Sequence, residues 1–540
     1  MSAAGLHHEA ILLAQAGRAH ESVDMLRRAV SLAPREAVVR DHLARALRFV
    51  GRLDESLTQW RIALELRPKC AEALAAMGDA LFEMGRLDEC LTSYRRAVSL
   101  RPGNSIFHSR LLYAMHYHPD CDSAAILRAH RKWGRQIEKR FVRRRQPHRN
   151  APDPERRLRI GYVSPAFMDH AVGRFIYPLL AHHNRARFEI HLYSDTTHPD
   201  DFTECIRAHA DHWRSTRELS AAQLAAQIRA DGIDVLVDLS LHAAGNRLLT
   251  FARKPAPVQI TWLAIPGTSG LAAMDYRLTD SYLDSPSQAA SCYSEQSIHL
   301  PRCFWCYSPP RQTPMVNALP AETLGFVTFG CLNRFEKVTE PVLRLWRRIL
   351  RRIAGSRLII HSREASHLDA VRRGFAEAGV APERLEFIGN RPLSDYYSHY
   401  HRIDIALDPF PHAGATVTCD ALWMGVPVIT LAGATAVGRA GVSILSNLAC
   451  PEWIAATQEQ YVEIAVNMAA NHMRLAQARN GLRGRMETCG MTDGRRFALE
   501  MEQALGFAWR RWCGQGGLQS SKEARKPAST NRSIAFEKVS

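Results

Sequence analysis

The sequence predicts an α plus α/β protein, a helical repeat array followed by two doubly wound parallel-sheet lobes. Three observations carry this prediction. One pattern recurs at a fixed step of 34 residues near the N-terminus. From Arg157 the texture changes to short apolar runs alternating with helical patterns, which is how parallel sheets read. A second series of such runs begins near Gly325, after a proline-rich connection from Pro301 to Pro320.

The bulk properties agree with a large globular chain. Its 540 residues correspond to roughly three to four domains, and 46% hydrophobic with 23% charged residues is an ordinary balance. No apolar run reaches the ~18 residues of a membrane span, and the N-terminus lacks a basic-then-apolar leader pattern. A cytoplasmic protein with no membrane partner is expected. The twelve cysteines follow no framework and read as reduced thiols. Cys303-Phe-Trp-Cys306, the closest pair, has no second pair or histidine cluster beside it and reads as core. The formal charge of +16 is concentrated between Arg128 and Arg159, where 13 basic residues face 3 acidic ones. No aromatic interleaving or nucleic-acid motif accompanies that run, so it reads as a solvated helix and linker rather than a nucleic-acid surface.

The repeat comes first. GRAHESVDMLRRAVSLAP begins at Gly17, GRLDESLTQWRIALELRP at Gly51 and GRLDECLTSYRRAVSLRP at Gly85. Leu26, Trp60 and Tyr94 recur in step, as do Ala29, Ala63 and Ala97, and Pro34, Pro68 and Pro102. Glycine permits a tight turn, alanine lets two helices approach, the large residue fills the gap, and proline ends the second helix. The pattern resembles the tetratricopeptide repeat, whose arrays expose a concave groove for peptide or protein. Ser105 to Tyr117 is expected to close the array, and a basic helix to follow from Ser123 to Phe141. Arg143 to Arg156, with three prolines, reads as a linker.

Strands are predicted in the first lobe at Leu158–Val163, Phe188–Tyr193, Asp234–Leu239 and Val258–Leu263. In the second they are predicted at Phe326–Leu332, Arg357–His361, Leu385–Ile388, Ile403–Leu407 and Val426–Leu431. The expected domains are repeats over 1–120, basic helix and linker over 121–156, lobes over 157–320 and 321–512, and a disordered tail over 513–540. The organising stretch is Ile403 to Leu431. A strand ends at Pro409 and Pro411, a loop of small residues follows, and a helix begins near Thr416. Backbone N–H groups at such a start can hold phosphate, although an ordinary βαβ turn has the same spacing.

Four segments carry a wider resemblance: GYVSPAFMDHAVGRF (161–175), DLSLHAAGNRLLTFARKPAPVQITWLAIPGTSGLAAMDYRLTD (238–280), FGCLNRFEKV (329–338) and DPFPHAGATVTCDALWMGVPVITL (408–431). In that order, behind that repeat, they resemble the bacterial O-linked N-acetylglucosamine transferase and SPINDLY-like family. The resemblance implies a two-lobed GT-B glycosyltransferase with the acceptor side in the first lobe and the nucleotide-sugar side in the second. It implies inverting transfer from UDP-N-acetylglucosamine to Ser/Thr hydroxyls of proteins recruited by the repeats, with no metal and no cofactor beyond the nucleotide sugar.

By the same resemblance His170 and Lys337 are the catalytic residues, Lys337 also binding phosphate. Asn333 and Arg334 line the nucleotide pocket, Thr416 and Val417 offer backbone N–H groups, Asp420 holds the ribose, and Arg439 sits in a donor-side loop. His242 is placed at the acceptor or sugar site. Pro266-Gly267-Thr268-Ser269-Gly270 reads either as a turn near the donor or as a plain structural turn. The sequence departs from the family pattern at Ala166, Ile265, His361 and Ala415-Thr416-Val417. Two alternatives stay open: an interaction scaffold with a decayed catalytic region, and a transferase using another donor such as GDP-fucose. A homo-oligomer is also left open.

Overall fold

The computed structural model describes residues 1–285, 291–310, 312–362, 367–389, 392–515 and 534–535. The chain divides into two compact units, neither continuous in sequence. One comprises residues 1–119, 317–412 and 458–476, and the other comprises 120–316, 413–457 and the remainder from 477.

The first unit contains the repeats. Three antiparallel helix pairs follow one another: α1 (Ala3–Gln15) with α2 (Ala19–Leu32), α3 (Ala37–Phe49) with α4 (Leu53–Leu66), and α5 (Ala71–Glu83) with α6 (Leu87–Leu100). Gly17, Gly51 and Gly85, in the turns inside each pair, have φ of 77°, 81° and 69°, the left-handed region that glycine alone enters freely. Leu26, Trp60 and Tyr94 are buried, as are Ala29, Ala63 and Ala97. Ser22 donates to the Ala10 carbonyl at 2.8 Å and Ser56 to that of Ala44 at 2.6 Å, one repeat apart. The closing segment is one helix, α7 (Ser105–Met115), capped by the Asn104 side chain. The same unit holds a parallel sheet in the order β10 (Leu385–Ile388), β9 (Arg357–His361), β8 (Thr328–Cys331), β11 (Ile405–Leu407).

The second unit holds the larger parallel sheet. Its strands are β1 (Leu158–Ser164), β2 (Phe188–Ser194), β3 (His212–Ser215), β4 (Val235–Asp238), β5 (Val258–Thr261), β6 (Tyr276–Asp280) and β7 (Gln296–Leu300). They are ordered 7-6-5-4-1-2-3. This unit also contains β12 (Val428–Leu431), paired in parallel with β13 (Ile454–Ala455). The basic helix is α8 (Ser123–Glu138), and α9 (Ala171–His182) follows β1. Helix α10 is Thr416–Trp423 and helix α11 is Gly494–Gly514. Glu502 of α11 accepts bonds from the Asn184 backbone at 2.7 Å and pairs with His183 at 3.0 Å, tying the last helix to the first lobe.

The structure corrects several expectations. Strands β3, β6, β7 and β13 were not predicted. The linker is fastened to the first lobe: Asn150 donates to the Gly232 and Ile233 carbonyls, and Arg156 donates to buried Asp234 at 2.8 Å. The proline-rich connection contains Phe304, Trp305 and Tyr307, all at most 3% exposed. In the region expected to be a disordered tail, Ile534–Ala535 forms a two-residue strand beside β7; residues 516–533 and 536–540 lie outside the described residues.

Candidate functional site

In the first unit the chemistry gathers around Lys337. β8 ends at Cys331, and a 3₁₀ turn over Phe335–Lys337 brings the lysine back towards the strand. Its Nζ donates to Oδ1 of Asn333 at 3.2 Å, and Asn333 is 4% exposed. Burial lowers the Lys337 pKa, and the charges of Asp408 and Glu336 oppose the shift without cancelling it. Asp408, just past β11, is 1% exposed. Arg334 stands at the same turn but points to solvent, 3.5 Å from Glu336.

His412, four residues beyond Asp408, belongs to this cluster and was not singled out from the sequence. Burial, with the positive charge of Lys337 beside it, holds its pKa well below the usual histidine value. The ring stacks on Tyr117 with centroids 4.1 Å apart, so the residue that ends the repeat array packs on the loop that follows β11. Near the same turn, a Cβ on Gly85 would stand 3.2 Å from the Val338 carbonyl oxygen. The last repeat therefore abuts the turn that carries the lysine.

In the second unit α10 begins after Ala415, whose side chain makes no cap hydrogen bond. Thr416 and Val417 are its first residues, in the place predicted. A helix start presents partial positive charge to an anion. Asp420, one turn on and 2% exposed, accepts a 2.6 Å bond from the Tyr307 hydroxyl. Tyr307, in the proline-rich connection, was also missed. Arg439 donates to the Tyr282 carbonyl at 2.9 Å, so it fastens the turn after β6 to the loop that carries it.

His170 is exposed and is the N-cap of α9: its Nδ1 accepts the Val172 N–H at 3.2 Å. His242 is only 2% exposed. Its Nε2 lies 3.2 Å from the Ser269 carbonyl oxygen, and its ring meets those of His130 and Trp133 from α8 edge-on, each at 4.7 Å. That enclosure makes it a packing and hydrogen-bonding residue as the unit stands. The Pro266–Gly270 segment is likewise internal. Thr268 donates to buried Glu295 at 2.6 Å and the Ser269 N–H does so at 2.7 Å, which favours the structural-turn reading. Cys303 and Cys306 are buried, and burial pushes the Cys303 thiol up to about 12, as core thiols require. Among the described residues, Glu189, His191 and His212 could together hold a metal ion.

Residues 106–310 and 312–501 match the family described as glycosyl transferase family 41, and residues 71–104 match the tetratricopeptide repeat. The Petunia hybrida protein named "Probable UDP-N-acetylglucosamine–peptide N-acetylglucosaminyltransferase SPINDLY" is 36% identical over 414 residues, 74% of this chain and 44% of the plant protein. The correspondingly named SEC of Arabidopsis thaliana is 30% identical over 369 residues, 66% of this chain and 38% of its own length. This chain thus spans less than half of these plant relatives. A solved structure of a lysine-to-methionine mutant of Thermobaculum terrenum O-GlcNAc transferase superposes with a TM-score of 0.85 at 35% identity, covering 95% of this chain and 98% of that one. Among the described residues no helix is long and apolar enough to cross a membrane.

Proposed function

The chain belongs to glycosyl transferase family 41, and from that premise we propose that it is a protein O-glycosyltransferase. It moves N-acetylglucosamine from UDP-N-acetylglucosamine to Ser or Thr hydroxyls of proteins held by its repeats. In the reaction the bond from the anomeric carbon to the diphosphate oxygen breaks, and a bond from that carbon to the acceptor oxygen forms with inversion. UDP departs with the electron pair, and the hydroxyl proton must leave. No metal or further cofactor takes part.

The observation that carries this reading is Lys337. Its ammonium is half-buried, held by the Asn333 amide and drawn by the charges of Asp408 and Glu336, so the turn after β8 fixes a cation in place. A departing diphosphate is an anion, and a positioned cation stabilises it most in a water-poor site. The start of α10, with Thr416 and Val417 as its first residues, offers an anion the partial positive charge of a helix N-terminus. Asn333 orients the lysine, Asp420 takes a sugar hydroxyl of the nucleoside, and Arg334 and Arg439 serve the donor side at the rim and through their loop.

His170 belongs to the acceptor side. While Val172 donates to Nδ1, a neutral ring carries its hydrogen on Nε2 and meets the acceptor hydroxyl as a donor; taking a proton from it requires that bond to break. The test is product formation. Incubation with UDP-N-acetylglucosamine and a panel of Ser/Thr-rich acceptor proteins should yield N-acetylhexosamine on Ser or Thr by mass spectrometry. Modification from GDP-fucose instead would replace the donor, and binding of neither nucleotide would leave only a scaffold.

A further inference from the structure

Glu189 and His191 stand two residues apart on β2, so their side chains leave the same face of the sheet. His191 lies directly across from His212 in the parallel register of β2 with β3. Oε1 of Glu189 is 2.9 Å from Nε2 of His191 and 3.3 Å from Nε2 of His212. All three ligating atoms lie within 4.8 Å of one another. A tetrahedral zinc ion with bonds of about 2.0–2.1 Å keeps its donor atoms about 3.3 Å apart, so these side chains need little adjustment to bind one.

The surroundings favour a ligand over a plain ion pair. The second carboxylate oxygen, Oε2, is turned towards Arg159 at 3.6 Å and Arg157 at 3.9 Å, which leaves Oε1 for the imidazoles. His191 is 3% exposed, and its Nδ1 is buried with no hydrogen-bond partner among the described residues. The fold has therefore buried this ring with its other nitrogen committed to the cluster.

We propose that Glu189, His191 and His212 bind a divalent late first-row cation, zinc foremost, which pins edge strand β3 to β2. Two imidazoles and a carboxylate are a borderline-soft set suited to such ions, and half-exposed His212 leaves a fourth position to water. β3 ends the sheet order and is four residues long, so it gains most from a cross-link. Glu189 lies near the start of β2, His191 at its middle and His212 at the start of β3, whereas the sites of a parallel sheet open at the carboxyl ends. The ion is accordingly a brace and takes no part in sugar transfer.

The experiment uses the full chain, stripped of metal with a chelator and dialysed, and compares it with His212→Ala and Glu189→Gln. Zinc titrated calorimetrically should occupy one equivalent in the parent that His212→Ala lacks or binds at least tenfold more weakly. Cobalt(II) should give the parent a tetrahedral visible spectrum, and zinc should raise its Tm but not that of either variant. Glu189→Gln keeps the side-chain shape, so it serves if the alanine variant folds poorly. Equal stoichiometry and affinity in parent and variants, or no zinc effect on the parent's Tm, would overturn the proposal.

Discussion

Whether His170 caps a helix or handles a proton is decided by a pair of substitutions. His170→Ala removes both roles, and loss of an N-cap costs about 0.5–2 kcal/mol of stability. Asn is a good N-cap with no imidazole, so His170→Asn should recover the Tm while turnover stays low and UDP affinity stays near that of the parent. Recovery of turnover by Asn would reduce the histidine to a cap. Asp238 gives a second test at this scale. It is 1% exposed at the end of β4. Burial pushes its pKa from 3.8 up to about 6, against bonds from the Leu241 and Ser240 N–H groups. A carboxyl whose folded pKa is raised costs stability as pH climbs from its unfolded to its folded value. The parent should therefore lose up to about 3 kcal/mol relative to Asp238→Asn between pH 4 and 6 and nothing further above, as the 3.8-to-6 shift implies. Calorimetry across that range reads the gap directly, and a gap that does not change with pH would refute the shift.

Among elements, α8 and the turn after Pro266 meet backbone to backbone. A Cβ on Gly134 would stand 1.9 Å from the Gly270 carbonyl oxygen, backbone against backbone. Alanine is the better helix former by about 1 kcal/mol, yet overpacking typically costs about 1–3 kcal/mol or more. Gly134→Ala should therefore lower the Tm by several degrees despite its propensity gain, and a raised Tm would show that the two elements can part freely. What the sequence revealed at this scale followed apolar texture. Leu385–Ile388 and Arg357–His361 were read to the residue, because apolar runs between turn signals mark buried strands. Strand β3, His-Trp-Arg-Ser, is a short edge strand with no apolar run. β6 hid because its polar residues are satisfied inside the fold: Arg277 pairs with Asp284 at 2.8 Å and lies over the Tyr293 ring at 3.6 Å. The Glu189, His191, His212 group was equally invisible, since its third member comes from another strand and no metal-motif spacing links them.

For the whole molecule, the repeats and the family motifs were legible because each is a spacing along the chain, while burial is a property of the fold. Lys337, Asp420 and Thr416 stand at a turn, inside a helix and at a helix start, places that the spacing of their motifs indicates. The neighbours Tyr307 of Asp420 and His412 of Lys337, and the stacking of Tyr117 on His412, were not legible, because those contacts join segments distant in sequence. The enclosure of His242 was not legible either, as a loop motif says nothing of what will pack around it. The stacking of Tyr117 on His412 means that the repeat array and the lysine turn share one packed unit. On the proposed function, the half-buried Lys337 ammonium holds the diphosphate of a uridine nucleotide. Calorimetry of the full chain with UDP and GDP, repeated on Lys337→Ala, tests it most directly. UDP should bind more tightly than GDP, and the variant should lose about 1.5–3 kcal/mol, the worth of a charged hydrogen bond. Equal affinity of parent and variant for UDP, or no nucleotide binding at all, would contradict it.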